Sequence, residues 1–258
     1  MHPILLDLGF IRLHTYGFCI SLGVVAALLL AIKLGRSFDI SRDFILDLTI
    51  KLLISGIIGS KILYIMVYYQ EFIQEPVRII RDFRSGFVFF GGLILAFIMG
   101  YLHVRKSKYR MGNLFDVFAP ALALAHSFGR LGCTMAGCCY GKAVPHDAFY
   151  TLRFCHPETI ACPVCRPLIA TQPISSIFLF LLSMLMLSLF FKWKKRYPGS
   201  LLFIYASTYS LFRFIIEFFR GDDRGFLFGL STSQVISMAV FPAAIYLLFK
   251  YNIRRKKP

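Results

Sequence analysis

The sequence predicts an all-α polytopic membrane protein with seven transmembrane helices. Hydrophobic residues make up 57% of the 258 positions, mean hydropathy is +0.68, and 28 residues are phenylalanine. Soluble domains do not reach such values. Apolar runs of about 18 residues or more recur along the chain, the length that crosses a bilayer. Basic residues gather at alternate ends of those runs, which gives the helices a common orientation.

Met1–Thr15 reads as a short external segment at the interface, without the basic n-region and small-residue cleavage site of a removable signal peptide. The spans follow at Tyr16–Ile32, Phe44–Tyr69, Phe87–Val104, Leu114–Leu131, Pro173–Phe191, Leu201–Phe219 and Ser231–Lys250. One set of ends carries Lys33, Arg36 and Arg42, then Arg105, Lys106, Lys108 and Arg110, then Lys192 to Arg196, then Lys250 and Arg254 to Lys257. Only Asp39 and Asp43 oppose them there. These ends are cytoplasmic, so the amino terminus lies outside and the carboxyl terminus inside. The net charge of +16 is thus a topology signal and excludes nucleic acid as the partner.

Two outer connections are long. Gln70–Ser85 places Ile73, Val77 and Ile80 beside Arg78, Arg81 and Arg84 at helical spacing, the pattern of a helix on the membrane surface. Residues 132–172 form a polar, cysteine-rich external insert between spans four and five. No repeat or low-complexity tract breaks the chain, and residues 1–258 read as one domain.

Polar residues within spans need partners. Asp47 and Lys51 are one turn apart on span two and can neutralise each other as a structural ion pair. Arg213, Glu217 and Arg220 share one face of span six. Two arginines against one glutamate leave positive charge over at the outer end, which reads as an anion site or as a purely structural network. His126 and Arg130 repeat the arrangement on span four, and His126 is either a packed, hydrogen-bonded ring or a catalyst. Just beyond lies Gly129-Arg130-Leu131-Gly132-Cys133-Thr134-Met135-Ala136-Gly137-Cys138-Cys139-Tyr140-Gly141, a fixed charge with glycines and thiols at a helix mouth. Such a combination suits a lipid phosphate.

Six of the seven cysteines fall in the insert: Cys133, Cys138, Cys139, Cys155, Cys162 and Cys165. An even number on the oxidising side favours disulfides and an insert shaped by them, since it has few apolar residues to pack. Cys155-His156 with Cys162 and Cys165 also has zinc-ligand types, and a redox-active pair is a third reading. Cys19 lies inside span one as inert core.

The Gly129–Gly132 motif, with Phe212-Arg213-Phe214-Ile215-Ile216-Glu217-Phe218-Phe219-Arg220, resembles the prolipoprotein diacylglyceryl transferase family. The similarity runs nearly end to end. Tyr16-Gly17 matches a tyrosine-glycine pair, and Gly59, Lys61 and Tyr64 fall where the family has glycine, arginine and tyrosine. Phe90-Gly91-Gly92-Leu93 matches its histidine-glycine-glycine-leucine turn except at the first position. Pro173 falls in its histidine-proline-serine motif, and Ser233-Gln234-Ile236-Ser237 resembles its last-span pattern.

The resemblance implies transfer of a diacylglyceryl group from phosphatidylglycerol to the lipobox cysteine of a prolipoprotein, with release of glycerol phosphate. It implies a bacterial cytoplasmic (inner) membrane location, an active site toward the external face, contact with membrane lipids, and neither metal nor organic cofactor. The resemblance carries over Arg130, Arg213, Glu217, Arg220, Gly141 and Tyr16; with His126, read from its register with Arg130, the catalytic candidates are Arg130, Arg213, His126 and Glu217. Tyr16, Lys61, Tyr64, Gly91, Gly92, Gly141 and Arg220 are the substrate-binding ones.

The departures are specific. The family's turn histidine is Phe90 here, its two asparagines are Cys133 and Ala136, its glutamate is Cys138, and Gln172 replaces the histidine before Pro173. Phe90 accepts no proton, which leaves His126, Glu217 or Tyr16 as base. The alternatives are a membrane thiol oxidoreductase or metal-binding protein, or an inactive lipid-binding relative. A retinal-type receptor is disfavoured because span seven lacks a lysine within its apolar body.

Overall fold

The computed structural model describes residues 2–9, 12–74, 77, 86–193, 196–222, 225–227 and 229–254. Among them, a long helix occupies each predicted span. These are α1 (Thr15–Gly35), α2 (Arg42–Val67), α4 (Phe89–Arg105), α5 (Met111–Ala136), α6 (Thr171–Lys192), α7 (Ser200–Glu217) and α8 (Thr232–Arg254), with a short α3 (Tyr69–Gln74) after α2. Four of them, α1, α2, α6 and α8, are long and apolar enough to cross a membrane, and α4 is a shorter apolar helix. α5 and α7 carry the histidine, arginines and glutamate that dilute an apolar run. Leu29, Ile57, Phe97 and Leu181 stand on exposed faces, as lipid-facing side chains do.

The helical prediction omits three short antiparallel hairpins. They pair β1 (Ile4–Asp7) with β2 (Arg12–His14), β3 (Thr151–Leu152) with β4 (Leu168–Ile169), and β5 (Phe226–Leu227) with β6 (Leu230–Ser231). Strands of two to four residues are too short to write an alternating pattern into the sequence. Beyond α3 and Val77, the basic surface helix expected over Gln70–Ser85 lies outside the described residues.

The chain divides into two compact units, Met1–Ala31 with Gly112–Pro258, and Ile32–Met111. In the smaller unit α2 and α4 meet through glycine. A Cβ on Gly92 would stand 2.6 Å from the Gly56 carbonyl oxygen, and one on Gly59 would stand 2.6 Å from the Leu95 Cβ. Gly59 and Gly91 each face the other's backbone, a small-residue contact of the kind that holds helices together without water. The predicted Asp47–Lys51 ion pair is present at 2.7 Å. His103 from α4 joins it, 3.2 Å from the Asp47 carboxylate.

In the larger unit, hydroxyls of α6 tie it to backbone carbonyls of α5. Ser176 donates to the Ser127 carbonyl at 2.8 Å and Ser183 to that of Pro120 at 2.9 Å. Phe178 stacks on Phe212 at 3.9 Å between ring centroids, joining α6 to α7. At the end where α5 starts, Asp116 and Arg196 form a buried ion pair at 3.0 Å. The second Asp116 oxygen accepts from the Leu201 amide at 2.9 Å, and Arg196 donates to the Phe190 and Trp193 carbonyls. One carboxylate thereby fixes the α6–α7 connection against α5.

The segment between α5 and α6 has a small apolar core, where sequence composition suggests none. Phe154, Ala161 and Leu168 are buried against Tyr140 and Leu152. Asp116→Ala would strand the Arg196 charge in that buried setting. We expect a loss of about 3–5 kcal/mol of stability, read as a lower unfolding midpoint in detergent, whereas Asp147→Ala at an exposed ion pair leaves the midpoint unchanged.

Candidate active site

The end of the larger unit where α1, α6 and α8 begin and α5 and α7 finish gathers most of the predicted residues. α7 carries Tyr205, Tyr209, Arg213 and Glu217 at intervals of four, one polar ladder on one face. α5 presents His126 and Arg130 to it. His126 Nδ1 lies 3.1 Å from the Tyr205 hydroxyl, and its Nε2 3.5 Å from that of Tyr209. The His126 ring also meets the Tyr209 ring edge-on, with centroids 4.8 Å apart. Tyr209 in turn lies beside the Arg130 guanidinium.

Arg213, Glu217 and Arg220 are all buried. Arg213 Nη1 is 2.7 Å from Glu217 Oε2, and its Nη2 donates to Ser233 Oγ at 2.9 Å. Arg220 grips Asp222 through two parallel hydrogen bonds of 2.9 Å, and its Nε stands 4.0 Å from Glu217. The predicted surplus on this face therefore needs correcting: Asp222 supplies a second carboxylate, so Arg213 and Arg220 are matched by Glu217 and Asp222. The surplus lies on α5. Among the described residues no carboxylate comes within 4.0 Å of Arg130, whose nearby polar groups are the Tyr209 phenol and the thiols of Cys133 and Cys139.

The glycines after Arg130 set these distances. A Cβ on Gly132 would crowd Tyr16 and Cys19 at 3.1–3.2 Å, so the start of α1 sits directly on the end of α5. Gly141 pairs with Arg220 as an isolated antiparallel bridge while its amide donates to Ile169. A Cβ there would stand 2.6 Å from the Ile169 Cβ. Lys142 N donates to the Phe219 carbonyl and Gly221 N to that of Tyr140. Through these bonds the loop after α5 holds the backbone of Arg220 in place.

The cysteines divide into two groups. Cys155 and Cys165 form a disulfide across a Cα separation of 4.5 Å. That bond consumes two members of the predicted Cys155, His156, Cys162, Cys165 zinc set, and Cys162 stands exposed. Cys133, Cys138 and Cys139 instead bring three sulfurs within 4.8 Å of one another. The turn that does so has Gly137 and Cys139 in the left-handed region, at φ 75° and 62°. Gln172 Nε2 donates to the Cys138 carbonyl at 3.0 Å, and Thr171 Oγ1 to that of Cys139 at 2.9 Å. Hydrogen bonds from Cys133 and Cys138, then the charges of Arg220 and Arg130, hold the Cys139 thiol below the usual range.

Lys61, Tyr64, Gly91 and Gly92 belong to the smaller unit. Lys61 lies over the rings of Tyr64 and Phe87, at 5.1 and 5.2 Å. Packing against α2 accounts for both glycines. Sequence reading passed over Asp222, Tyr205, Tyr209 and Thr171; the four-residue spacing on α7 was the available signal for the tyrosines.

The model of the prolipoprotein diacylglyceryl transferase family matches residues 3–250. The protein named phosphatidylglycerol–prolipoprotein diacylglyceryl transferase 2 from Clostridium perfringens (strain 13 / Type A) is 38% identical over 257 residues, covering 100% of this chain and 97% of its own length. The phosphatidylglycerol–prolipoprotein diacylglyceryl transferase of Clostridium tetani (strain Massachusetts / E88) is 37% identical over 257 residues, 99% of this chain and 98% of its own. That of Dehalococcoides mccartyi (strain CBDB1) is 33% identical over 258 residues.

Alkylation in denaturant with chelator and without reductant should modify Cys19, Cys133, Cys138, Cys139 and Cys162 and spare Cys155 and Cys165. A linked peptide pair joining any of the first five overturns the assignment.

Proposed function

The chain belongs to the prolipoprotein diacylglyceryl transferase family, and we propose that it moves a diacylglyceryl group from phosphatidylglycerol to the lipobox cysteine thiol of a prolipoprotein, releasing glycerol phosphate. The observation that carries the site assignment is Arg130, a cation at a helix end with no carboxylate partner among the described residues. In a membrane such a charge calls for an anion, and the phosphodiester of the lipid supplies one.

In this reading Arg130 binds the phosphate through its guanidinium fork. Arg213 and Arg220 meet the charge that grows as the ester oxygen leaves, loosening from Glu217 and Asp222 as it does. Gly141 keeps side-chain bulk away from the bound headgroup, and Tyr16, packed on Gly132, is a substrate contact at the start of α1. Lys61 and Tyr64 are lipid contacts of the smaller unit, whereas Gly91 and Gly92 serve its helix packing. The acceptor sulfur attacks the glyceryl methylene carbon, the S–C bond forms, and the C–O bond to phosphate breaks with its electron pair on oxygen. A free thiol has a pKa of about 8.5, so a base must take its proton. Phe90 offers none, and His126 is the base in this reading, with Tyr205 and Tyr209 orienting its ring.

The seven helices cross the bacterial cytoplasmic (inner) membrane with the amino terminus outside, because the basic ends face the cytoplasm. Arg130, Arg213 and Arg220 then lie toward the external leaflet, with the disulfide-bearing insert over them.

The test uses purified protein in proteoliposomes containing phosphatidylglycerol with labelled acyl chains, together with a synthetic lipobox peptide. Label should move to the peptide cysteine as glycerol phosphate is released; label that never leaves the lipid overturns the transferase reading. Arg130→Lys should slow transfer roughly 10²-fold although the charge is kept, because the bidentate fork is lost. His126→Phe should cost most of the activity and Phe90→His should restore part of it. Full turnover by His126→Phe removes the base assignment.

A further inference from the structure

The Cys133, Cys138 and Cys139 trio has no part in the reaction as assigned above, yet it is the most constrained group of side chains at the site. Its sulfurs lie within 4.8 Å of one another. It stays a set of three thiols while Cys155 and Cys165 close into a disulfide. The turn that carries it holds a non-glycine residue, Cys139, in the left-handed region, a conformation that persists only where surroundings impose it. Thr171 and Gln172 clamp both carbonyls of the Cys138–Cys139 pair, and Arg220 hydrogen-bonds the Cys139 sulfur. Three thiols are one too many for a disulfide and one too few to close a tetrahedral shell.

We propose that Cys133, Cys138 and Cys139 bind a zinc ion through three thiolates, and that its open fourth position takes the thiol of the acceptor peptide as a ligand. The second half of the proposal rests on the transferase reading. Zinc–sulfur bonds of about 2.3 Å put the sulfurs of a tetrahedral site roughly 3.8 Å apart. A trio already within 4.8 Å needs only a small contraction to reach that spacing. Zn²⁺ with three thiolates carries one net negative charge, and the charges that act on Cys139 are the guanidiniums of Arg130 and Arg220.

The chemistry addresses the weakest point of the reaction. A thiol that coordinates zinc loses its proton outright, so the nucleophile is a metal-bound thiolate at neutral pH. The proton passes to His126 by way of Tyr209. The zinc-bound sulfur then attacks the glyceryl carbon and phosphate departs with the C–O electron pair. The resulting thioether is neutral and a weaker ligand than the thiolate, so it leaves the metal. Zinc is neither oxidised nor reduced. This centre departs from the metal-free one that the family resemblance implies, and it puts the metal at a different set of cysteines from the Cys155–Cys165 segment.

The experiment measures metal before activity. Protein grown in zinc-supplemented medium and purified without chelator should hold about one equivalent of zinc. Cys139→Ser should lose the metal, Cys139→His should keep it because histidine tolerates the left-handed region and ligates zinc, and Cys162→Ser should match the parent protein. After exchange with cobalt(II), thiolate-to-cobalt absorption should appear and shift on adding lipobox peptide, but not the same peptide with serine for cysteine. A parent protein that takes up neither metal, or a disulfide found within the trio, overturns the site. Metal bound with no spectral response to the cysteine peptide overturns the acceptor role. Transfer of labelled lipid by chelator-stripped protein at the full rate also overturns that role while leaving the transferase reading standing. Metal binding and a peptide response without lipid transfer would instead remove the transferase reading alone.

Discussion

A guanidinium at the end of an apolar helix cannot be left without a counter-charge, and the arrangement around Arg130 follows from that constraint. Among the described residues its polar neighbours are a phenol and thiols. The two arginines across from it are already matched, Arg213 by Glu217 and Arg220 by Asp222. Such a distribution separates two tasks. Matched pairs are tolerable in a poorly hydrated setting because each carries its own neutralisation. A cation with no carboxylate within 4.0 Å among the described residues makes its vicinity attractive to an anion.

Holding that distribution requires backbone precision more than side-chain bulk. Gly132 lets α1 reach α5, and Gly141 lets the loop after α5 lie between Ile169 and Arg220. A hydrogen bond on each side of that bridge registers Tyr140 and Lys142 against Phe219 and Gly221. The loop that carries the three thiols is thus the loop that positions Arg220. The proposed phosphate site and the sulfurs are held by one loop.

Much of this was legible in the sequence, and the boundary of legibility has a physical form. Helices and ladders are local, so hydropathy gave the long helices, and intervals of four gave Asp47–Lys51, His126–Arg130 and Arg213–Glu217. The same rule reaches back to Tyr209 and Tyr205, but tyrosine in an apolar helix is ordinarily a packing residue, and nothing local distinguishes one that hydrogen-bonds a histidine across the bundle. Asp222 escaped because it lies past the helix end, where pairing with Arg220 depends on a turn. The choice of Cys155 and Cys165 out of fifteen pairings depends on how the insert folds, and the convergence of Cys133, Cys138 and Cys139 on left-handed residues at Gly137 and Cys139. Those are tertiary facts that spacing does not encode.

Phe90 takes its meaning from this arrangement. Replacing a titratable residue by phenylalanine in a transferase that needs a thiolate removes one means of ionising the thiol, and the reaction then depends on another. The two proposals above supply it, both at the mouth of α5. One is proton transfer to a histidine held between two phenols, which leaves the thiol with its ordinary acidity and asks the base to compete for the proton. The other changes the acidity of the thiol by giving its sulfur a metal to bind, and then the base has only to accept a proton that is already leaving. The two are additive: a coordinated thiol gives up its proton more readily than a free one, so His126 has only to receive it. His126 as proton acceptor and a metal-bound acceptor sulfur are therefore mutually consistent, and in the proposed reaction they stand in for a histidine at position 90.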